Sequence, residues 1–408
     1  MAGEDASPRQ PLEGIKVADF SWAFAGPIAT KYLAIFGAKV VKIETHSRPD
    51  STRIAHPFLG KPSRNSSTLF GNFGPSKLSI SLNLNMPAAR TVAGRLVAWA
   101  DVVVENFSAG QMAEWGLGYQ QVRELNPAAI MLSSSQQGQT GPHAAHPGLG
   151  GMLQALAGFN HFTGYPDRVP RGPAIPYPDL IAPWFSIVAI VAALEHRQRT
   201  GKGQYLDLSQ LEASLQFLAP ALLDYSANGR AGGRRANASD EAAPHNAYRC
   251  RGDDRWCAIS VSSDEEWRAF RRVIGDPAWV REARFASLAA RVEHARELDG
   301  RVTAWTRERE AEEIMRLMQE AGVPAGVVAN GRDLHHDPQL RHRGHFAMVE
   351  HPRMGSYPVD APAFRILGTP PDIRPSPLLG QHNETVCRDL LAMSEEEYGA
   401  LEEKGIFS

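Results

Sequence analysis

A chain of 408 residues, 43% of them hydrophobic, is too apolar for disorder, can bury a sizeable core, and has a length that suits two domains. Its 43 basic and 45 acidic residues leave a formal charge of −2, which offers no electrostatic footprint to nucleic acid or to an anionic membrane. Neither is expected as a partner, and an anionic ligand must be met by local groups. The three cysteines, Cys250, Cys257 and Cys387, make neither a disulfide framework nor a four-ligand zinc site, which indicates a reducing, cytoplasmic setting.

The stretch Met1–Pro11 is short and polar, lacks the basic and apolar regions of a secretory signal, and reads as a tail. A strand is expected over Ile15–Phe20, followed by the loop Ser21–Pro27 and a helix from about Pro27 to Gly37. A second strand, Lys39–Glu44, completes a β-α-β unit, which implies a parallel sheet with a right-handed crossover. The alternation continues with a strand over Leu78–Leu84, a helix over Ala88–Trp99, and strands over Asp101–Glu105 and Ala128–Ser133. Open parallel sheets take ligands at the carboxyl ends of their strands, which puts Ser21–Pro27, Glu44–Arg53 and Asn106–Gly110 on one rim.

The most apolar stretch, Ile181–Leu194, is too short for a bilayer core of roughly 20 residues and is expected as a buried helix. Composition shifts to Gly, Ala, Arg, Asn and Ser over Gly229–Ala247, which marks a domain boundary or a mobile loop. Beyond it, Tyr248–Val261 reads as a hairpin turning at Gly252-Asp253-Asp254, and charged helices run from Asp264 to about Gly322. From Val323 the chain is rich in Pro and Gly and returns to short apolar runs such as Pro324–Val328, and this tail is expected to pack back on the first domain. The resulting division is 1–225 for the first part of a large domain, 226–330 for a smaller α+β domain, and 331–408 for the return.

No phosphate-binding loop, dinucleotide fingerprint, zincin helix or nucleophile elbow is present, so the sheet gives no sign of ATP, NAD, zinc or a serine nucleophile. His335-His336-Asp337 and His342–His345 lie among Pro and Arg and are expected as solvated surface, with no metal bound.

Six segments, in order, carry a resemblance: Pro11–Val17, Ala25–Pro27, Phe36–Glu44, Ala100–Phe107, Glu195–Gln204 and Ser376–His382. Together they resemble the class III CoA transferases, the group that includes formyl-CoA and carnitine CoA transferases and related acyl-CoA racemases. The resemblance implies an α/β fold, with a Rossmann-like large domain made from both ends of the chain and a smaller α+β domain between. It also implies two subunits interlocked like links of a chain, as a homodimer or as a heterodimer with a related subunit. Coenzyme A and acyl-CoA are then substrates, with no permanently bound cofactor.

By the same resemblance Asp179 is the catalytic carboxylate, holding first the acyl group as an anhydride and then CoA as a thioester. Its surroundings point the same way. Pro176 and Pro178 fix an extended approach, and a helix from about Ala182 would turn its positive end toward the carboxylate and favour the anion. The alternative is that Asp179 only caps that helix. Gly229, Gly232 and Gly233 suit either a mobile cover over the site or an interdomain linker.

The resemblance assigns CoA contacts to Phe24, Ala25, Asn106 and Phe107, with core packing as the alternative for Phe107. Thr45 stands where the family often has Arg, and Glu114 where it has another basic residue, so the usual phosphate clamps are missing. Arg48 and Arg53 are the candidates to replace them, against a merely solvated charged loop. The related racemases carry Gly-His-Asp where this chain has Gly148-Leu149-Gly150, which argues against racemisation. A non-catalytic subunit is the other rival, and Asp179 makes this the catalytic chain of any such pair. Tyr177, Trp184 and Phe185 around the proline-rich segment suggest transfer from succinyl-CoA to an aryl-substituted dicarboxylate such as benzylsuccinate.

Overall fold

The computed structural model describes residues 10–408, and most of the polar tail lies outside the described residues. The chain divides into two units, one made of Met1–Phe159, Gly172–Ala231 and Gln339–Ser408, the other of Asn160–Arg171 and Gly232–Pro338.

The first unit is built on six parallel strands: β1 Lys16–Asp19, β2 Lys39–Glu44, β3 Leu78–Ser81, β4 Val102–Glu105, β5 Ile130–Ser135 and β6 Tyr205–Ser209. Their spatial order is β3-β2-β1-β4-β5-β6, so the chain reverses direction across the sheet between β1 and β4. In such doubly wound sheets a crevice opens at the strand ends at that point. Val17 of β1 pairs with Val40 on one side and Val102 on the other, which sets the register.

Successive side chains point to opposite faces, and both faces are covered. On one face Val17, Val40, Val102, Val104, Ile130 and Leu132 pack with Leu33, Ala34, Ile190 and Ala193. The last four come from helices α1 (Ala25–Ile35) and α4 (Tyr177–Thr200). On the other face Ala18, Val41, Ile43, Val103 and Met131 pack with Val92, Leu96 and the C-terminal Val386, Leu391 and Ile406. Val92 and Leu96 belong to helix α2 (Pro87–Trp99), which starts on a proline at its first position, where no backbone donor is lost. A short helix α3, Gly150–Leu156, precedes α4.

The second unit holds a three-stranded antiparallel sheet: β7 His245–Arg249, β8 Trp256–Ser260 and β9 Ala325–Val327. Its core includes Tyr248, Cys257, Trp267, Phe270, Phe285 and Ile314. Three expectations need correction. The tail belongs to the first unit only from Gln339, not from Val323: Ala325–Val327 still pairs with β8 in the second unit. Asn160–Arg171, counted with the large domain, belongs to the second unit. The boundary expected after residue 225 falls between Ala231 and Gly232, because the helix Ala219–Asn228 runs on until Gly229 stops it at φ 70°.

Helix α4 is longer than its apolar core suggests, spanning 24 residues, and by length and composition alone it could cross a membrane. It packs along α1, β5 and β6, yet leaves Trp184, Phe185, Val188 and Val191 exposed.

Candidate active site

The loop after β1 is held by buried and half-buried side chains from its neighbours. The Trp22 N–H donates to Asn106 Oδ1 at 2.7 Å, and Asn106 Nδ2 donates back to the Trp22 carbonyl at 2.7 Å. The Ala23 N–H donates to Asp50 Oδ1 at 3.1 Å, and Lys42 Nζ lies 3.0 Å from Asp50 Oδ2. Ala23 sits at φ 63°, a left-handed conformation costly to a residue with a Cβ, and these ties hold it there. Phe24 then meets Phe73 edge to face at 5.2 Å, and Ala25 is buried at the start of α1. Both ends of the Asn106 carboxamide are thus committed to the backbone of Trp22.

Phe107 lies between Trp22 and Trp115, with ring centroids 5.7 and 5.2 Å away. The three rings line a cleft of about 240 Å³ over the carboxyl ends of β1 to β4, together with Ser47, Arg48 and Asn83. Arg48 is exposed, its guanidinium 5.9 Å from the Trp22 ring. The structure therefore brings Arg48 and Phe107 together.

Arg53, five residues further on, goes elsewhere. It is fully buried, its Nε and Nη2 donating to Glu44 Oε1 and Oε2 at 2.7 and 2.8 Å, with Phe70 stacked 3.5 Å from the guanidinium. Further bonds to Asn65 and the Arg64 carbonyl occupy Nη1, so Arg53 is corrected from a phosphate ligand to an internal strut. Arg53→Ala should leave Glu44 buried and unpaired and destabilise the protein by about 3–5 kcal/mol. Chemical denaturation checks this; a variant of unchanged stability and raised KM for acyl-CoA would reinstate the surface role.

Asp179 lies in the first turn of α4, which begins at Tyr177 and not near Ala182. The residue preceding the helix is Pro176, and the Asp179 side chain caps nothing. Instead, Gln154 of α3 accepts the Tyr177 N–H at 3.1 Å and donates to the Pro173 carbonyl at 3.3 Å. Asp179 Oδ2 approaches the backbone of Gly150 so closely that a Cβ there would stand 2.1 Å from it and 2.5 Å from Pro176 Cβ. Burial pushes the Asp179 carboxyl up to about 6, with no cation or hydrogen bond offsetting the loss of water. The expected pull of the helix end toward the anion is thus outweighed.

Sequence reasoning passes over Gly150 as a functional residue, and also Glu105. Glu105 closes β4, accepts the Phe107 N–H at 2.8 Å, and is pushed up to about 7 by burial. Its place directly before Asn106-Phe107 was the available signal. Tyr177, Trp184 and Phe185, expected around one substrate, pack on Phe159, Tyr32 and Phe217 respectively. Among the described residues no group of three or more His, Cys, Asp or Glu is placed to hold a metal.

A carboxylate raised in this way suits acyl transfer through a covalent carboxyl intermediate, and comparison with known proteins points to transfer of CoA. The family model described as CoA-transferase family III matches residues 12–383. Succinyl-CoA–D-citramalate CoA-transferase of Chloroflexus aurantiacus is 33% identical over 403 residues, covering 98% of this chain and 98% of that protein. Succinate–glutarate CoA-transferase of Agrobacterium fabrum is 31% identical, covering 94% and 96%. A crystal structure of a CaiB/BaiF family protein from Brucella suis superposes with a TM-score of 0.87 at 29% identity, over 94% of this chain and all of that one. The chain belongs to CoA-transferase family III and is a CoA-transferase enzyme.

Proposed function

We propose that the protein moves CoA from succinyl-CoA to a free dicarboxylic acid, with Asp179 as the nucleophile. The observation that carries this is a carboxylate held against Gly150, raised to about 6 and free of any partner that would blunt it. At neutral pH it is mostly ionised, yet more basic than an ordinary aspartate.

The Asp179 carboxylate attacks the donor thioester, the carbon–sulfur bond breaks, and CoA leaves as thiolate from a mixed anhydride. The thiolate then attacks the aspartyl carbonyl, releases the donor acid and leaves an aspartyl-CoA thioester. The acceptor carboxylate attacks that thioester to form a second anhydride, and return of the thiolate to its acyl carbonyl frees the new acyl-CoA and Asp179. Anhydrides hydrolyse readily, so a half-buried nucleophile favours transfer over loss to water. Hydroxylamine trapping during turnover, followed by peptide mapping, should place the adduct on Asp179; an adduct elsewhere would end this reading.

The names of two relatives each pair a succinyl or succinate group with another acid, D-citramalate or glutarate, both aliphatic diacids. The separate packing of Tyr177, Trp184 and Phe185 favours such an acid over benzylsuccinate. Racemisation has less support, since a side chain at position 150 would take the space of the Asp179 carboxylate.

We assign CoA to the cleft beside Phe107, with Arg48 meeting a phosphate; Phe24 and Ala25 do not line that cleft, and their contact with CoA rests on the resemblance alone. Arg48→Ala should raise KM for acyl-CoA about tenfold with little change in kcat, as for loss of one charge-assisted hydrogen bond. Steady-state kinetics check this, and an unchanged KM would remove Arg48 from the site.

An interlocked dimer, of two copies or with a related subunit, would cover the apolar side chains that one chain leaves in water. Val188 is 69% exposed, and Leu222, Leu223 and Tyr225 on the helix Ala219–Asn228 are exposed as well. Sedimentation at micromolar concentration should show a dimer, and a monomer would count against it. A cytoplasmic setting suits three buried free thiols, two of which, Cys257 and Cys387, burial pushes up to about 12.

A further inference from the structure

We propose that Gln136 recognises the distal carboxylate of a dicarboxylic acyl group carried on Asp179. The inference rests on the reading of Asp179 as acyl carrier and adds the residue that selects diacids.

Two glycines define the geometry. A Cβ at Gly148 would stand 2.1 Å from Gln136 Oε1 and 2.8 Å from Nε2, just as a Cβ at Gly150 would stand 2.1 Å from Asp179 Oδ2. Leu149 between them is extended, at φ −128° and ψ 161°. Residues two apart on extended chain face the same side, so the carboxamide and the carboxylate lie against one face of a bare backbone strip. At about 3.4 Å per residue the two glycine positions against which they rest are about 7 Å apart. Leu149 points to the other face and is 76% exposed, consistent with the glycine face being the inner one.

Both polar groups are unengaged. The Gln136 main-chain carbonyl accepts the Leu211 N–H at 2.9 Å, which anchors the residue, while its carboxamide has no hydrogen-bond partner among the described residues. The gap between the two groups has the length of a short diacid. Carbon–carbon bonds of about 1.5 Å give a four-carbon diacid a reach of about 4 Å between its carboxyl carbons. Adding the carbon–oxygen bond to Asp179, the distal carboxylate's own C–O bond and one hydrogen bond of about 2.9 Å gives an extended span of about 9 Å, so a four-carbon diacid bridges about 7 Å with its chain bent. Nε2–H is then placed to donate to the distal carboxylate, which a monocarboxylic acid lacks. Without a side chain at either glycine, nothing of the strip itself stands between the two groups.

The test compares CoA exchange between succinyl-CoA and succinate or glutarate with exchange between butyryl-CoA and butyrate, in wild type, Gln136→Ala and Gln136→Glu. The proposal expects kcat/KM for the diacids to fall about tenfold or more in Gln136→Ala, as for loss of one hydrogen bond to a charged group, while exchange with butyrate stays within about twofold. Gln136→Glu keeps the volume and sets an anion against the distal carboxylate, so it should lower diacid transfer further than Gln136→Ala and spare butyrate. Equal losses on both acids, or none on the diacids, overturn the role of Gln136 and leave the transfer reading intact. A wild-type enzyme inactive with every acid overturns the transfer reading and this inference with it.

Discussion

Asp179→Asn should lower turnover by about 10⁴-fold or more, because an amide cannot form the anhydride and no neighbouring group replaces the covalent route. The same variant should melt at a higher temperature. The folded protein holds the Asp179 proton up to a pH of about 6, whereas the unfolded chain releases it near the ordinary value of 3.8. Between those values the folded state binds more protons, so stability falls as pH rises through the window, and above it the ionised form is carried at a cost. Asparagine removes that cost. In wild type, kcat/KM should fall about tenfold per pH unit below about 6, as the nucleophile is protonated. Exchange kinetics and thermal melts of both proteins check these outcomes together. A variant that keeps its activity, or an inactive one that melts lower than wild type at pH 7, contradicts the account of a desolvated nucleophile.

Gly150→Ala should reduce kcat by about 100-fold, the effect of displacing a reacting group by roughly 1 Å. The added methyl would stand 2.1 Å from Asp179 Oδ2 and 2.5 Å from Pro176 Cβ, so either the carboxylate turns away or the start of α4 shifts. Its neighbour supplies the control. A Cβ at Gly151 meets nothing within 4 Å, and alanine there should leave kcat unchanged and stabilise helix α3 by about 0.5–1 kcal/mol. Equal kinetics in the two variants would mean that the contact with Gly150 does not position the nucleophile.

The strands were the most legible part of the chain. Lys39–Glu44 is found as expected, and β4 and β5 lie within two residues of their expected bounds, because strands buried on both faces must be short, continuous apolar runs. β6, Tyr205–Ser209, escaped notice: it lies at the sheet edge and offers only Leu206 and Leu208 as half-buried apolar residues. Pro324–Val328 has the composition of a strand, but nothing local says which sheet it joins. Asp179 was legible through resemblance to a family and not through its own surroundings, since the expected helix start and the expected stabilisation of its anion both differ from what is found.

Read alone, the residues determined the order of most of the elements and the parallel α/β plan. Those follow from periodicity and from local backbone preferences, which act over a few neighbouring residues. Tertiary structure decided which polar groups are available for chemistry. Arg48 and Arg53 stand five residues apart on one loop, yet one faces a cleft and the other is sealed against Glu44. Gly150 and Asp179, 29 positions apart, meet so closely that a side chain at position 150 would collide with the carboxylate. Desolvation and the choice of hydrogen-bond partner depend on everything that surrounds a group, and those surroundings come from distant parts of the chain.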